Sequence, residues 1–175
     1  LSADGHLLAS GGTDGMVQLW EASFAKFDRG AKVAEQTRDA GGSPAAPPSR
    51  WRPLASLQGH AGPVWGVTVS ADGQLVASAG ADGTVRLWEP STGRPVATLQ
   101  GHTGTVVDMT LSANGHLLAS ASFDGTVRLW ETSTARPVAT LQGHVNAVWG
   151  VTVSADGQLV ASGGTDGMVR LWETG

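Results

Sequence analysis

Residues 64–89 read VWGVTVSADGQLVASAGADGTVRLWE, and this stretch decides the fold. Short β-rich runs alternate here with Asp-Gly pairs, which favour the tight turns of β-hairpins because both residues tolerate the required backbone angles. The pattern predicts four strands, at Val64–Ser70, Gln74–Gly80, Thr84–Glu89 and Pro95–Leu99. No segment shows a helical period, so the chain is predicted to be all-β.

This stretch is one copy of a repeat. Gly-His pairs recur at 42-residue intervals, and a Trp-Glu pair near the end of each copy keeps the same spacing in the last three. A unit of four short strands cannot bury its apolar face alone, so the copies are expected to stack on one another. The markers are Gly59-His60, Gly101-His102 and Gly143-His144, with Trp20-Glu21, Trp88-Glu89, Trp130-Glu131 and Trp172-Glu173.

A unit of this length, with Gly-His near its start and Trp-acid near its end, resembles the WD-repeat β-propeller family. The resemblance covers nearly the whole chain, and the near-identical copies favour a bacterial-type source. It implies an all-β propeller of four-stranded antiparallel blades, about four in this chain, with the first and last incomplete. We expect blades at 1–57, 58–99, 100–141 and 142–175, in a single propeller segment of a longer chain.

One insertion, at 23–52, breaks the register of the first repeat between its third and fourth strands. Its Gly, Pro and Ser content predicts a loop or linker. A tolerated surface insertion is favoured over a partner-binding arm.

Each complete repeat contains His, Ser and Asp, which invites comparison with a hydrolase. The family resemblance instead implies a structural network in which Asp, His, Ser and Trp are hydrogen-bonded in series. Catalysis needs one site that departs from the repeat symmetry and carries an oxyanion hole, and no repeat differs in that way. The predicted network comprises Ser10, Asp14, Trp20, His60, Ser78, Asp82, Trp88, His102, Ser120, Asp124, Trp130, His144, Ser162, Asp166 and Trp172.

The resemblance also implies a binding face, the one that carries the Gly-His loops. Trp65, Phe123 and Trp149 stand out there, since large aromatic side chains anchor interfaces. The alternative is that both tryptophans only fill space between inner strands. The full predicted set is Pro63, Trp65, Ala81, Thr105, Val107, Phe123, Ala147, Trp149 and Thr165, and the first repeat adds Thr13.

The composition of the chain limits the classes of partner that we expect it to bind. A net charge of -4 does not supply the clustered positive surface that nucleic acid needs, and no apolar run is long enough to span a bilayer. The chain has no cysteine, which excludes disulfides and thiolate metal sites and favours the cytoplasm. The five histidines show no metal-ligand spacing, so neither metal nor cofactor is predicted.

These observations favour a non-catalytic scaffold that binds other proteins or peptides. The alternatives are a receptor for glycans or small ligands, which repeated pockets also suit, and a hydrolase with a site in one blade. Fewer than four complete blades leave sheet edges open. We expect further blades of a longer protein to close the ring. In isolation, we expect either a homodimer that completes an eight-bladed ring or an open arc.

Overall fold

The computed structural model describes residues 1–22 and 51–174, and every regular element in these two ranges is a β-strand. The strands form four separate antiparallel sheets of three, four, four and three strands, each a simple meander in chain order. The all-β class and the antiparallel blades predicted from the sequence are therefore confirmed.

Sheet 1 contains β1 (Leu7–Gly11), β2 (Met16–Ala22) and β3 (Trp51–Gln58), and sheet 2 contains β4 (Val64–Val69), β5 (Val76–Gly80), β6 (Val85–Glu89) and β7 (Arg94–Leu99). Sheet 3 contains β8 (Val106–Leu111), β9 (Leu117–Ser122), β10 (Thr126–Glu131) and β11 (Arg136–Gln142). Sheet 4 contains β12 (Val148–Val153), β13 (Leu159–Gly164) and β14 (Val169–Glu173).

The turn between β4 and β5 shows why these two strands are shorter than predicted. The Asp72 carboxylate accepts hydrogen bonds from the Ser70 hydroxyl and the Gln74 N–H, and the Ser70 hydroxyl oxygen accepts one from the Leu75 N–H. Gly73 has a φ of 70°, which a residue with a Cβ rarely adopts. Because the turn uses residues up to Leu75, β5 begins at Val76 and not at Gln74.

The predicted end of the insertion, at residue 52, is wrong. β3 begins at Trp51, because Trp51 pairs with Ala22 and Arg52 pairs with Glu21 across the antiparallel ladder with β2. Both residues therefore belong to the outer strand of sheet 1, and the rest of the predicted insertion lies outside the described residues.

The core lies between the sheets, which pack face to face in chain order. Leu19 of sheet 1 packs with Val64 and Trp88 of sheet 2, and all three are buried. The same contact recurs between sheets 2 and 3 and between sheets 3 and 4, with Leu87 and Leu129 in the place of Leu19. Fully burying one such leucine contributes roughly 2 kcal/mol, so the interfaces between sheets account for much of the stability.

No helix in the described residues could cross a membrane.

Candidate functional site

Four side chains from four segments of the second repeat meet in one hydrogen-bonded chain. His60 comes from the loop before β4, Ser78 from β5, Asp82 from the turn after β5, and Trp88 from β6. The Trp88 indole nitrogen lies 2.8 Å from Ser78 Oγ, and Ser78 Oγ lies 2.8 Å from His60 Nε2. His60 Nδ1 in turn lies 3.1 Å from either carboxylate oxygen of Asp82.

The direction of this chain follows from its two ends. An indole N–H can only donate, and an ionised carboxylate can only accept. Trp88 therefore donates to Ser78, the Ser78 hydroxyl donates to Nε2 of His60, and the Nδ1–H of His60 donates to Asp82. A neutral imidazole with its proton on Nδ1 satisfies every member, which is what buried polar groups require.

The same arrangement occurs in sheets 3 and 4. His102 lies 2.8 Å from Asp124 and 2.9 Å from Ser120, and Trp130 lies 2.9 Å from Ser120. In sheet 4 the corresponding distances are 2.9 Å from His144 to Asp166, 2.9 Å to Ser162, and 3.0 Å from Trp172 to Ser162. The structure thus brings together twelve of the fifteen residues predicted for the network, as three equivalent sets.

The aspartates are held in their ionised form. Burial would raise the pKa of Asp82, but the N–H of Ala61, the hydroxyl and N–H of Thr84, and His60 outweigh it and bring the pKa to about 2. Burial and the opposing hydrogen bonds likewise leave the pKa of Asp124 and Asp166 below the ordinary value. Burial lowers the pKa of His102, despite the nearby Asp124 carboxylate.

The glycine before each histidine has a packing reason. A Cβ placed on Gly59 would lie 2.7 Å from the guanidinium of Arg86 and 3.1 Å from the ring of Trp88. At Gly143 it would lie 3.0 Å from the ring of Trp172. A side chain at this position would therefore press on the indole and the arginine, and glycine avoids that contact.

Sheet 1 carries the same serine, aspartate and tryptophan without the network. Ser10 and Asp14 are exposed and Trp20 is half-buried. Asp14 accepts a hydrogen bond from the N–H of Met16 at 3.0 Å, as its equivalents do from the residue two positions on. Within the described residues no hydrogen bond joins Trp20 to Ser10, so these three residues are not brought together as the other sets are.

Three of the nine predicted binding positions lie at β-bulges, one in each of the inner strands β4, β8 and β12. The register of β4 against β5 shifts between Val64 and Gly66, so Trp65 is the extra residue of the bulge. Val107 in β8 and Trp149 in β12 occupy the same place. A bulge re-aims the side chain it contains, and Trp65 and Trp149 are 57% and 53% exposed.

Phe123 extends this surface across two sheets. It lies before the turn aspartate of sheet 3, and its ring meets that of Trp149 edge to face, with centroids 4.7 Å apart and planes at 62°. Such pairs are favourable beyond their buried area. Thr165 is also exposed, whereas the other predicted positions, Pro63, Ala81, Thr105, Val107 and Ala147, are half-buried.

Val145 is a surface residue that the sequence argument missed. It follows His144 and is the most exposed large apolar side chain among the described residues, at 82%. The equivalent positions hold Ala61 and Thr103. A valine where the other copies have small or polar residues was the available signal.

The opposite ends of the sheets hold a cleft with a different character. It encloses about 200 Å³ between sheets 1 and 2 and is lined by three carboxylates, those of Asp4, Glu21 and Asp72. Hydrogen bonds from Ser70 and Gln74 lower the pKa of Asp72. Across the described residues, no group of three or more His, Cys, Asp or Glu side chains could hold a metal ion.

The chain matches one family model and is similar to several known proteins. A family model described as WD domain, G-beta repeat matches residues 1–21, 51–89, 93–131 and 135–173, which is more than half of the chain. Transcription initiation factor TFIID subunit 5 of Arabidopsis thaliana is 35% identical over 88 residues, which is 50% of this chain and 13% of that protein. Striatin of Rattus norvegicus is 36% identical over 88 residues, 50% of this chain and 9% of that protein.

A third relative is striatin-4 of Homo sapiens, 53% identical over 34 residues, or 19% of this chain and 4% of that protein. The matched part is thus a small share of each relative. All three relatives are eukaryotic, so the predicted bacterial-type source finds no support in them.

Proposed function

Because the chain belongs to the WD40 repeat family, we propose that it is a non-catalytic scaffold that binds protein or peptide partners through the face carrying the Gly-His loops. The observation that carries this proposal is the exposed aromatic pair of Phe123 and Trp149. Trp65 and Trp149, the extra residues of two of the three bulges, are also exposed. A protein that exposes large aromatic side chains in a group normally uses them in an interface.

The partner surface is uncharged. None of the nine predicted binding residues carries a charge, so recognition there depends on apolar contact and backbone hydrogen bonds. We therefore expect the partner to be a peptide segment with a large apolar side chain that packs on Trp149 and Phe123. The absence of cysteine fits work in a reducing compartment, and the cytoplasm remains our prediction.

The serines of the three networks argue against a hydrolase. Ser78 and Ser120 are completely buried, and the oxygen of each already lies within hydrogen-bond distance of a tryptophan and a histidine. A nucleophile must meet its substrate and an oxyanion hole, and a buried oxygen in three equivalent copies meets neither requirement. A fluorophosphonate probe is expected to label none of these serines, and labelling of one would support the hydrolase alternative.

The binding face can be tested by panning a phage library of random peptides on the chain. We expect enriched peptides that lose at least about tenfold in affinity with Trp149→Ala, because truncation removes the anchor of the surface. The matched control is Val138→Ala, an exposed apolar residue on the outer strand β11. Trp149→Ala should lower the urea midpoint only slightly, since the Trp149 side chain is 53% exposed and loses chiefly its ring contact with Phe123.

Two outcomes would contradict the proposal. Enriched peptides that bind Trp149→Ala and wild type equally would place the site on another face, and a library without any enriched peptide would argue against peptide binding. A glycan array covers the remaining alternative, because exposed indole rings also stack on sugars. Binding of a glycan that depends on Trp65 or Trp149 would replace the peptide in this proposal.

A further inference from the structure

We propose that Asn114 is a self-modifying site, which the turn between β8 and β9 converts into aspartate through a cyclic imide with Gly115. The chain contains two asparagines, and Asn114 is the one that a glycine follows. Its side chain is exposed, so water reaches it. Because glycine has no side chain, its backbone nitrogen can approach the neighbouring amide without steric hindrance.

The conversion needs no reactant other than water. The backbone nitrogen of Gly115 attacks Cγ of Asn114, the Cγ–Nδ2 bond breaks, and the backbone proton leaves with the side-chain nitrogen as ammonia. Water then opens the imide. Its attack at Cγ gives aspartate on an unchanged backbone, whereas its attack at the main-chain carbonyl gives isoaspartate, whose backbone is one carbon longer. Either product has a hydroxyl group in place of the amide NH2.

The turn holds the side-chain oxygen of Asn114 in a way that favours this attack. Oδ1 accepts hydrogen bonds from the Ser112 hydroxyl at 2.7 Å and from the His116 N–H at 3.0 Å. Negative charge develops on this oxygen when the nitrogen attacks, and donors already aimed at such an oxygen lower the barrier. Nδ2 has no hydrogen-bond partner among the described residues, so the leaving group is not held back by the protein.

The attacking nitrogen is the part of the turn that must move. The Gly115 N–H donates a hydrogen bond to the Ser112 carbonyl at 2.8 Å, and this bond has to open before the nitrogen can reach Cγ. Local opening of an exposed turn costs much less free energy than unfolding of the whole domain. The conversion therefore takes place in the folded chain, at a rate set by the opening of this turn.

The other repeats show that the fold accepts the product. The positions equivalent to Asn114 hold Asp4, Asp72 and Asp156. Each of these carboxylates accepts a bond from the serine hydroxyl two residues before it, at 2.6, 2.6 and 2.5 Å, and from the N–H two residues after it, at 3.0, 3.0 and 3.1 Å. An aspartate at position 114 thus keeps the turn, whereas the longer backbone of isoaspartate displaces the glycine.

The consequence is a new charge at the ends of the sheets opposite the Gly-His loops. Asn114 and Asp72 line one cavity of about 240 Å³ between the turns of sheets 2 and 3. In the equivalent turns, hydrogen bonds from the serine hydroxyl and the backbone lower the pKa of Asp4, Asp72 and Asp156. A carboxylate at position 114 has the same donors and is ionised at neutral pH. The net charge of the chain, -4 before the conversion, becomes one unit more negative.

Mass spectrometry of the complete 175-residue protein, kept folded in a mildly alkaline buffer and then digested, tests this proposal. We expect Asn114 to convert at least about tenfold faster than Asn146, an exposed asparagine that alanine follows. Asn146 is an internal control, because it experiences the same solution in the same molecule. The aspartate product should elute from an anion-exchange column together with Asn114→Asp.

Two matched variants separate the site from general ageing of the chain. Asn114→Gln should abolish the conversion at this position, because its longer side chain does not close the same ring, and Asn146→Gln should leave the rate at Asn114 unchanged. Circular dichroism verifies that both variants keep the β-sheets. Equal rates at Asn114 and Asn146 in the wild type would overturn the proposal. Conversion that occurs only in the urea-unfolded chain would also overturn it, because the folded turn would then be inert.

Discussion

Sheet 1 and sheet 3 contain the same serine, tryptophan and turn aspartate in the same strand register, yet only sheet 3 builds the network. Leu8 pairs with Trp20 as Leu118 pairs with Trp130. Trp130 is buried and bonded to Ser120, whereas Trp20 is half-buried and Ser10 is exposed.

Two levels of structure account for this contrast between sheets 1 and 3. The register of a hairpin is fixed locally, by the turn and by the alternation of inward and outward side chains. The network depends on a Gly-His loop that reaches over the sheet and on a neighbouring sheet that excludes water. In the described residues, sheet 1 has the hairpin register but neither the Gly-His loop nor the network. It therefore serves as an internal control for the contribution of the network.

The largest effect is expected from Asp124→Ala compared with Asp14→Ala. Asp124 accepts hydrogen bonds from His102, from the Thr103 N–H, and from the N–H and hydroxyl of Thr126. Its removal leaves several half-buried donors without a partner and should lower the free energy of unfolding by about 3 kcal/mol. Asp14→Ala removes one exposed bond and should change it by less than about 0.5 kcal/mol.

Urea denaturation of both variants measures the two losses. Equal losses would mean that the turn aspartate acts only on its own turn, because that contact is the one that both residues share. The network would then contribute nothing beyond the turn.

The repeat made most of the fold predictable. The 42-residue period, the Asp-Gly turns and the Trp-Glu pairs are local signals, and they predict the strands of sheet 2 to within two residues at every boundary. The beginning of β3 was not predictable in this way, because Trp51 and Arg52 follow a Pro-rich run and are strand residues only through their pairing with β2. Pairing partners are set by tertiary structure, which the local pattern does not contain.

The site was predictable in part, for a related reason. Which residues form the network follows from the family resemblance, and the distances agree with a hydrogen-bonded series in three sheets. The display of Trp65 and Trp149 depends on a bulge, which arises where two residues face one across a ladder and leaves no mark in the sequence. The edge-to-face contact of Trp149 with Phe123 joins two sheets and lies equally beyond a local pattern.

A second, smaller effect is expected from pH. Burial holds the pKa of His102 below its ordinary value of 6.5, so the unfolded chain binds more protons than the folded one as the pH falls below that value. The stability due to neutral His102 is present above pH 6.5 and is lost below it. The urea midpoint should therefore fall between about pH 7 and about pH 5, and His102→Gln should flatten this decline.

The matched control for the pH experiment is His116→Gln, a change of an exposed turn histidine that should keep the wild-type slope. A second decline is expected below about pH 4, as the pH falls towards the pKa of Asp82 at about 2. If His102→Gln keeps the full slope between about pH 7 and about pH 5, the neutral histidine of sheet 3 is not its cause.

The smallest effect on stability is expected from the hydrogen bonds between neighbouring inner strands. Sheet 1 is joined to sheet 2 by a backbone bond from the Val64 N–H to the Gly12 carbonyl, 3.0 Å long. Sheet 3 is joined to sheet 4 by a side chain, since Asp108 accepts a hydrogen bond from the Val151 N–H at 2.9 Å. The positions equivalent to Asp108 are Gly66 and Gly150. Among the described sheets, this side-chain hydrogen bond therefore occurs only between sheets 3 and 4.

Asp108→Ala should lower the free energy of unfolding by about 1 kcal/mol, because a half-buried charge-assisted bond is lost. Asp108→Asn keeps an acceptor oxygen and should lose about half of that or less. Amide hydrogen exchange at Val151 reports the bond directly, and we expect faster exchange in Asp108→Ala with no change at Val64. Unchanged protection of Val151 would show that packing alone holds sheet 4 to sheet 3, as the buried contact of Leu129 with Val151 and Val160 could do without the carboxylate.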